Sequence, residues 1–184
     1  MYRAGAMAAL GHDHVIVNRA LEGWATFSGE LATAAFYLDV PASGFVVDEA
    51  AARREEGADF SEDIDADAKA ATLHNMLSPA VLDAQEHPSI TVRSVSIETG
   101  GAPQATGGAQ AGSAQATVRV SVAGHESSLV VPFALDASPG RLRAHVDFTV
   151  RQTRLGLRPF SVFLGALRVE DQLRVKLDIV ATRP

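Results

Sequence analysis

The chain has 184 residues, of which 47% are hydrophobic and 21% charged, with a net charge of −6 and no cysteine. This length fits one globular domain with a substantial core. The acidic balance excludes a basic field that would attract nucleic acid, and the lack of cysteine excludes disulfides and thiolate metal sites. No apolar run reaches the roughly 20 residues that a membrane-spanning helix needs. The N-terminal stretch lacks the pattern of a secretory signal, which predicts a cytoplasmic protein, or a periplasmic one if the true start lies upstream.

The first polar motif is the sequence GHDH at residues 11–14. In an extended strand His12 and His14 share one face and Asp13 points to the other. Two imidazoles are fewer than the three protein ligands of a zinc site, and the next glutamate, Glu22, is eight residues further on. We expect hydrogen bonds to backbone or to a carboxylate to hold at least one of the histidines. A metal-dependent enzyme or metal carrier of jelly-roll type that uses His12 and His14 is the alternative.

The middle of the chain, near residues 60–86, predicts a short helical insertion. Ala70, Leu73 and Leu77 recur at helical spacing. A second helix is predicted from Ser78, as its N-cap, with proline at its first position and an end before Pro88.

The remaining segments predict strands. Residues 90–97 change hydrophobic phase midway, which indicates a β-bulge near Arg93 or Ser94. Residues 99–115 are rich in glycine, alanine and glutamine, and predict a flexible loop. Residues 118–122, 129–135, 142–150 and 173–179 alternate apolar with polar positions, as strands with one dry face do. The chain is therefore predicted to be all-β, an antiparallel barrel or sandwich in a single domain, residues 1–184.

An apolar cavity is the second candidate site. Its lining is predicted from large side chains at apolar positions, although a plain core uses the same residues. These are Trp24, Phe27, Phe36, Met76, Phe133, Phe148, Phe160 and Phe163. Arg151, Arg154 and Arg158 precede the apolar run 160–167, a combination that suits a cavity mouth receiving a polar headgroup and its tail.

Several segments resemble, in order, the YceI-like family of lipocalin-like polyisoprenoid-binding proteins, over about residues 4–181. The segments are LGHDHVI, SPAVLDAQEHPSITVRSVSI, VAGHESSLVVPFAL and FTVRQTRLGLRPFSVFLGALRVEDQLRVKLDIVA. The resemblance implies an extended antiparallel barrel of about eight strands, closed by a helical segment around a long apolar cavity. Leu155 stands where the family usually has phenylalanine.

The function that this resemblance implies is non-enzymatic binding of an isoprenoid or fatty-acyl chain, without a cofactor and often as a homodimer. His14 near the barrel rim and Arg151 join the eight lining residues as predicted ligand contacts. Besides the metal-dependent alternative, a barrel that acts only through protein contacts also fits the sequence.

Overall fold

The computed structural model describes residues 1–61, 63–99 and 112–183. The helices are α1 (Ala50–Glu56) and α2 (Ala66–Leu77). The strands are β1 (Arg3–Ala4), β2 (Ile16–Asn18), β3 (Glu22–Thr26), β4 (Ala35–Pro41), β5 (Phe45–Val47), β6 (Ser89–Thr99), β7 (Gly112–Val122), β8 (His125–Ser138), β9 (Arg141–Arg151), β10 (Ser161–Val162), β11 (Leu167–Val169) and β12 (Gln172–Thr182).

One curled antiparallel sheet of seven strands dominates the fold, in the order β12-β9-β8-β7-β6-β4-β3. The predicted all-β, lipocalin-like class is confirmed, with seven strands in the main sheet and a half-barrel shape. Two small sheets accompany it, β1-β11-β10 and β2-β5. Helix α1 lies beside the edge strand β12, where Lys176 Nζ donates to Glu56 Oε1 at 2.6 Å.

The two faces of the sheet differ in polarity because consecutive side chains of a strand point to opposite sides. Along β12 the exposed positions alternate with half-buried ones from Gln172 to Thr182. On β7 the inward residues Ala114, Ala116, Val118, Val120 and Val122 are buried. The apolar face therefore forms the concave interior of the half-barrel.

The predicted bulge is present in β6. The pairing with β7 shifts between Ser94 and Ser96, so Val95 is the extra residue and its side chain is 57% exposed. Ser94 still faces inward, where its hydroxyl accepts a hydrogen bond from the Phe36 amide at 2.9 Å. Because the bulge restores the alternation, Ile97 is buried on the same face as Val92.

The predicted loop 99–115 lies mostly outside the described residues, since residues 100–111 are not among them. Thr99 ends β6, and residues 112–115 belong to β7, where Ala114 pairs with Phe133. The loop prediction is therefore wrong for Thr99 and for residues 112–115, which belong to strands.

The helical region begins earlier than predicted, with α1, and its second predicted helix is wrong. Asp65 caps α2 by accepting from the Ala68 amide at 2.8 Å. Residues 78–86 form successive turns, because Asp83 has a left-handed backbone (φ 45°) that no α-helix accommodates. The turn amides of Leu82 and Ala84 bond back to the carbonyls of Met76 and Leu77 at 3.2 and 3.0 Å.

One end of the half-barrel is filled by these turns and by the segment after β9. Leu82 and Leu157 are both 8% exposed and belong to the same core cluster as Val120 and Val122 of β7. Ser127 of β8 donates to the Arg154 carbonyl at 3.0 Å, which fixes the segment against the sheet. We call this filled region the plugged end.

We expect Leu157→Ala to lower the free energy of unfolding by about 2–5 kcal/mol, because it leaves a cavity in the plugged end. The matched control is Val130→Ala, whose side chain is 61% exposed on the outer face and should cost less than about 1 kcal/mol. Urea unfolding of both variants measures the difference. Equal losses would show that Leu157 is not part of the core.

Candidate functional site

The concave face is incompletely covered along three neighbouring strands. All inward side chains of β12 are half-buried, and so are the inward residues 129, 131, 133 and 135 of β8. On β9, Val146 and Val150 are buried, whereas Leu142, Ala144 and Phe148 are half-buried. The half-barrel thus presents an apolar surface that its own side chains cover only in part.

Ala144 is a small residue between large ones on this surface. It pairs with Leu135 on one side and with Ile179 on the other, so a methyl group stands between two large aliphatic side chains. Two inward positions further along β9, Phe148 pairs with Val175. We call the inward faces of β8, β9 and β12 the apolar trough.

Four of the predicted lining residues lie on or beside this face. Phe36, Met76 and Phe133 pack against the central core cluster, and Phe148 lies in the apolar trough. Phe27 and Phe160 are half-buried in the segments after β3 and before β10.

The other predicted contacts are distributed differently. Trp24 is 56% exposed and stacks on Tyr37 with 6.4 Å between ring centroids. Trp24 pairs with Tyr37, and Tyr37 pairs with Arg93, so all three side chains lie on the outer face of the sheet. Phe163 is 67% exposed in a turn, and Arg151 is exposed at the end of β9. Ligand contacts by these three residues remain predictions.

The sequence around Trp24 indicates that its side chain points to the outer face of the sheet. Glu22, Trp24 and Thr26 alternate onto one face of β3, and two polar neighbours indicate a wet face. The alternation of apolar and polar residues also predicts that Leu135, Ala144 and Ile179 face inward. It does not predict that these three residues pair with one another across the sheet.

An open-sided pocket of about 590 Å³ lies at the end of the sheet opposite the plugged end. Ile97 provides its buried apolar side. Its lining residues are Gly29, Glu30, Leu31, Ala32, Ile97, Glu98 and Thr99. The pocket places an apolar floor beside two carboxylates.

The histidine motif forms a separate, largely buried polar network. His14 Nδ1 lies 2.5 Å from Asp48 Oδ2, and Asp48 is 1% exposed. The other carboxylate oxygen, Oδ1, accepts from the Val15 amide at 2.9 Å and from Arg53 Nη1 at 2.6 Å. His14 Nε2 lies 3.3 Å from the Thr72 hydroxyl of α2. The expectation that a carboxylate holds one of the histidines is confirmed.

Arg53 extends this network to the N-terminal segment. Its Nη1 also donates to the Asp13 carbonyl at 2.8 Å, and its guanidinium lies 5.6 Å from the centre of the Phe60 ring. Asp13 faces away from His14, and its carboxylate accepts from the Arg3 amide at 2.8 Å. The network therefore joins four parts of the chain: the N-terminal segment, the end of β5, α1 and α2.

Asp48 and Arg53 form a buried ion pair in which the Asp48 carboxylate is held in its ionised form. Burial favours the neutral acid, but the hydrogen bonds from His14, Val15 and Arg53 outweigh it and lower the pKa of Asp48 below its ordinary value. An ionised carboxylate that accepts all three bonds requires a proton on His14 Nδ1, and the Thr72 hydroxyl lies within hydrogen-bond distance of Nε2.

The side chains of this network are not arranged as metal ligands. The ring centres of His12 and His14 lie 6.2 Å apart in an edge-on arrangement. Within residues 1–61, 63–99 and 112–183, no group of three or more histidine or carboxylate side chains is placed to hold a metal. Sequence reasoning missed Asp48, Arg53 and Thr72, because nothing in the local sequence links them to a motif that is 34 to 58 residues away.

Asp48→Ala should reduce the free energy of unfolding by about 3–5 kcal/mol, because it leaves the Arg53 charge buried without its partner. The control is Asp178→Ala, which removes an exposed carboxylate 3.1 Å from His145 Nδ1 and should cost less than about 1 kcal/mol. Chemical unfolding at neutral pH compares the two. Similar costs would contradict a special role of the buried pair.

The pKa of Asp48 also predicts a pH dependence. Because the folded pKa lies below the unfolded value near 3.8, this carboxylate stabilises the fold above that pH and loses its contribution as the pH falls through the folded pKa. In Asp48→Asn, which has no titrating group there, the stability deficit relative to wild type should shrink between about pH 6 and about pH 3. A deficit that stays constant over this range would contradict the assignment.

Three solved structures share this fold at low sequence identity. BcnA from Burkholderia cenocepacia matches with a TM-score of 0.63 and 12% identity, over 91% of this chain and 87% of that chain. The YceI protein of Campylobacter jejuni matches with a TM-score of 0.61 and 8% identity, over 92% and 85%. A polyisoprenoid binding domain from Saccharophagus degradans, implicated in plant cell wall breakdown, matches with a TM-score of 0.55 and 12% identity, over 93% and 92%.

Comparison with curated protein sequences gave no match. The family described as the YceI-like domain matches residues 13–181, from the histidine motif to the end of β12. This range contains both helices and the seven-stranded sheet except the last residue of β12. The chain therefore belongs to the YceI-like domain family.

Proposed function

We propose that this protein binds a long amphipathic chain, such as an isoprenoid or a fatty-acyl chain, along the apolar trough, without catalysing a reaction. The observation that carries the proposal is the partial burial of most inward residues of β8, β9 and β12. Apolar surface gains about 25 cal/mol for each Å² that is removed from water, so an apolar chain laid in the trough is stabilised there.

The composition of the trough favours a hydrocarbon over a polar ligand. Every inward position of β9 and β12 is Leu, Ile, Val, Ala or Phe. Such a surface offers dispersion contacts and burial, and these two strands contribute no acid–base group to it. Ala144 leaves room for ligand atoms between Leu135 and Ile179.

The family and the related folds support the same proposal. The Saccharophagus degradans protein of this fold is described as a polyisoprenoid binding domain. Nothing comparable supports the metal-dependent alternative, because both ring nitrogens of His14 already face protein groups. Homodimer formation, the cellular location and headgroup contacts by His14 or Arg151 remain predictions from the sequence.

Native mass spectrometry of the protein purified from its own host tests the proposal directly. We expect an added mass that is lost after extraction with organic solvent and that matches an isoprenoid or fatty-acyl compound. Stoichiometric metal would instead support the jelly-roll alternative. A protein of bare mass that also fails to take up added isoprenoid alcohol would contradict ligand binding and favour action through protein contacts.

Filling the trough should abolish binding. We expect Ala144→Trp to reduce the affinity for an isoprenoid alcohol by about tenfold or more, because the indole occupies the space between Leu135 and Ile179. The matched control is Val180→Trp, which adds the same group to the outer face of the adjacent strand, where the side chain is 47% exposed. Displacement of a fluorescent fatty acid measures both affinities.

Two outcomes of that experiment would contradict the placement of the ligand. One is unchanged binding in a folded Ala144→Trp protein. The other is an equal loss in both variants. If Ala144→Trp does not fold, Ala144→Leu provides a smaller filling of the same space, with the near-ultraviolet circular dichroism spectrum as the folding control.

A further inference from the structure

The turn between β10 and β11 exposes two large apolar side chains next to each other. Phe163 is 67% exposed and Leu164 is fully exposed. The two strands pair only through Val162 with Leu167 and Ser161 with Arg168, so this turn forms the tip of a short hairpin. We call Phe163 and Leu164 the apolar tip.

The backbone of the tip is left-handed at three successive residues. Phe163, Leu164 and Gly165 have φ values of 52°, 55° and 91°. A left-handed backbone is rare for bulky residues, and strained segments of this kind cluster at functional sites. Glycine or asparagine would adopt this backbone more readily than phenylalanine or leucine. The sequence nevertheless has phenylalanine and leucine at these two positions, where neither the backbone conformation nor burial favours them.

The N-terminal segment extends the apolar surface at the base of the tip. The Met7 amide donates to the Ala166 carbonyl at 2.7 Å. Gly5 approaches so closely that a Cβ there would lie 2.5 Å from the same carbonyl oxygen, at a φ of 99° that also favours glycine. Ala6 and Ala9 are exposed, so the base of the tip presents small apolar side chains.

The charged residues nearest to the tip along the chain are Arg158 and Arg168, on a protein whose net charge is −6. Further from the tip, Arg3 lies 3.9 Å from the Asp13 carboxylate, and Glu170 follows β11. Arg168 stands on β11, one rung behind the Val162–Leu167 pair, a step of about 3.3 Å along the strand. Both Arg158 and Arg168 are exposed, and neither forms an ion pair with another residue in the described parts of the chain.

We propose that the apolar tip docks this protein onto an anionic lipid surface. Phe163 and Leu164 enter the boundary between headgroups and acyl chains, while Arg158 and Arg168 lie at the level of the lipid phosphates. A small convex tip of two apolar residues with arginines behind it suits a deformable lipid interface, where apolar burial and attraction to anionic headgroups add together. Docking of this kind does not require a ligand in the apolar trough.

Co-sedimentation with vesicles tests the proposal. We expect the wild type to bind vesicles of phosphatidylcholine with about one-third phosphatidylglycerol and to bind pure phosphatidylcholine weakly. The double variant Phe163→Ser/Leu164→Ser should lose about tenfold or more in partitioning. Arg158→Gln/Arg168→Gln should lose the preference for anionic vesicles, and Val130→Ser, a change at an exposed valine far from the tip, should bind like wild type.

Site-specific labelling shows which residues enter the lipid. Because the chain has no cysteine, Leu164→Cys and the control Val130→Cys each carry a single environment-sensitive fluorophore. The label at position 164 should shift to shorter wavelength on anionic vesicles, and the label at position 130 should not.

Each of three results would overturn docking by the tip. The first is wild-type protein that stays in the supernatant with both vesicle types. The second is a serine double variant that binds as tightly as wild type. The third is concentration-dependent sedimentation without vesicles that the double variant abolishes, since it would assign the tip to self-association. Affinity for an isoprenoid alcohol in solution, measured on the single variant Arg168→Gln, is expected to be unchanged and separates this test from that of the trough.

Discussion

The register of the seven-stranded sheet is the constraint on which the other features depend. Side chains alternate strictly between the two faces, so the pairing of each strand with its neighbour decides which residues meet inside. On β7 this produces a row of alanine and valine that is fully buried. On β8, β9 and β12 it produces equally apolar rows that remain partly exposed. The bulge at Val95 keeps the register consistent across the phase change in β6.

Outside the main sheet, the small elements are held by a buried hydrogen-bond network rather than by apolar packing. A buried carboxylate, Asp48, holds His14, the Val15 amide and Arg53 together. Such a network stabilises only when every partner is present, because each charge or donor is costly to bury alone. It fixes the N-terminal segment and β5 against α1 and α2. The small elements around the half-barrel are thus positioned by directional polar contacts, whereas the sheet interior rests on apolar packing.

The distribution of apolar surface separates two recognition properties. The trough is concave, lies between strands, and suits a chain that is enclosed by the protein. The tip is convex, projects from a hairpin, and suits a surface that encloses it. The exposed Arg158 and Arg168 of the hairpin region contrast with the acidic net charge of the chain, and they are the groups that the proposed docking directs to an anionic surface.

The sequence by itself determined the strands that contain residues 90–97, 118–122, 129–135, 142–150 and 173–179, the dry face of each and the bulge, because side-chain alternation is a local property. It also predicted that backbone or a carboxylate holds at least one of His12 and His14, since two imidazoles are too few for a zinc site. Only the tertiary structure could decide that the carboxylate is Asp48, 34 residues away in the chain. The same holds for the aromatic residues. Phe36 faces the core and Phe163 faces solvent because of pairing and turn geometry between distant segments, and composition carries no information about either.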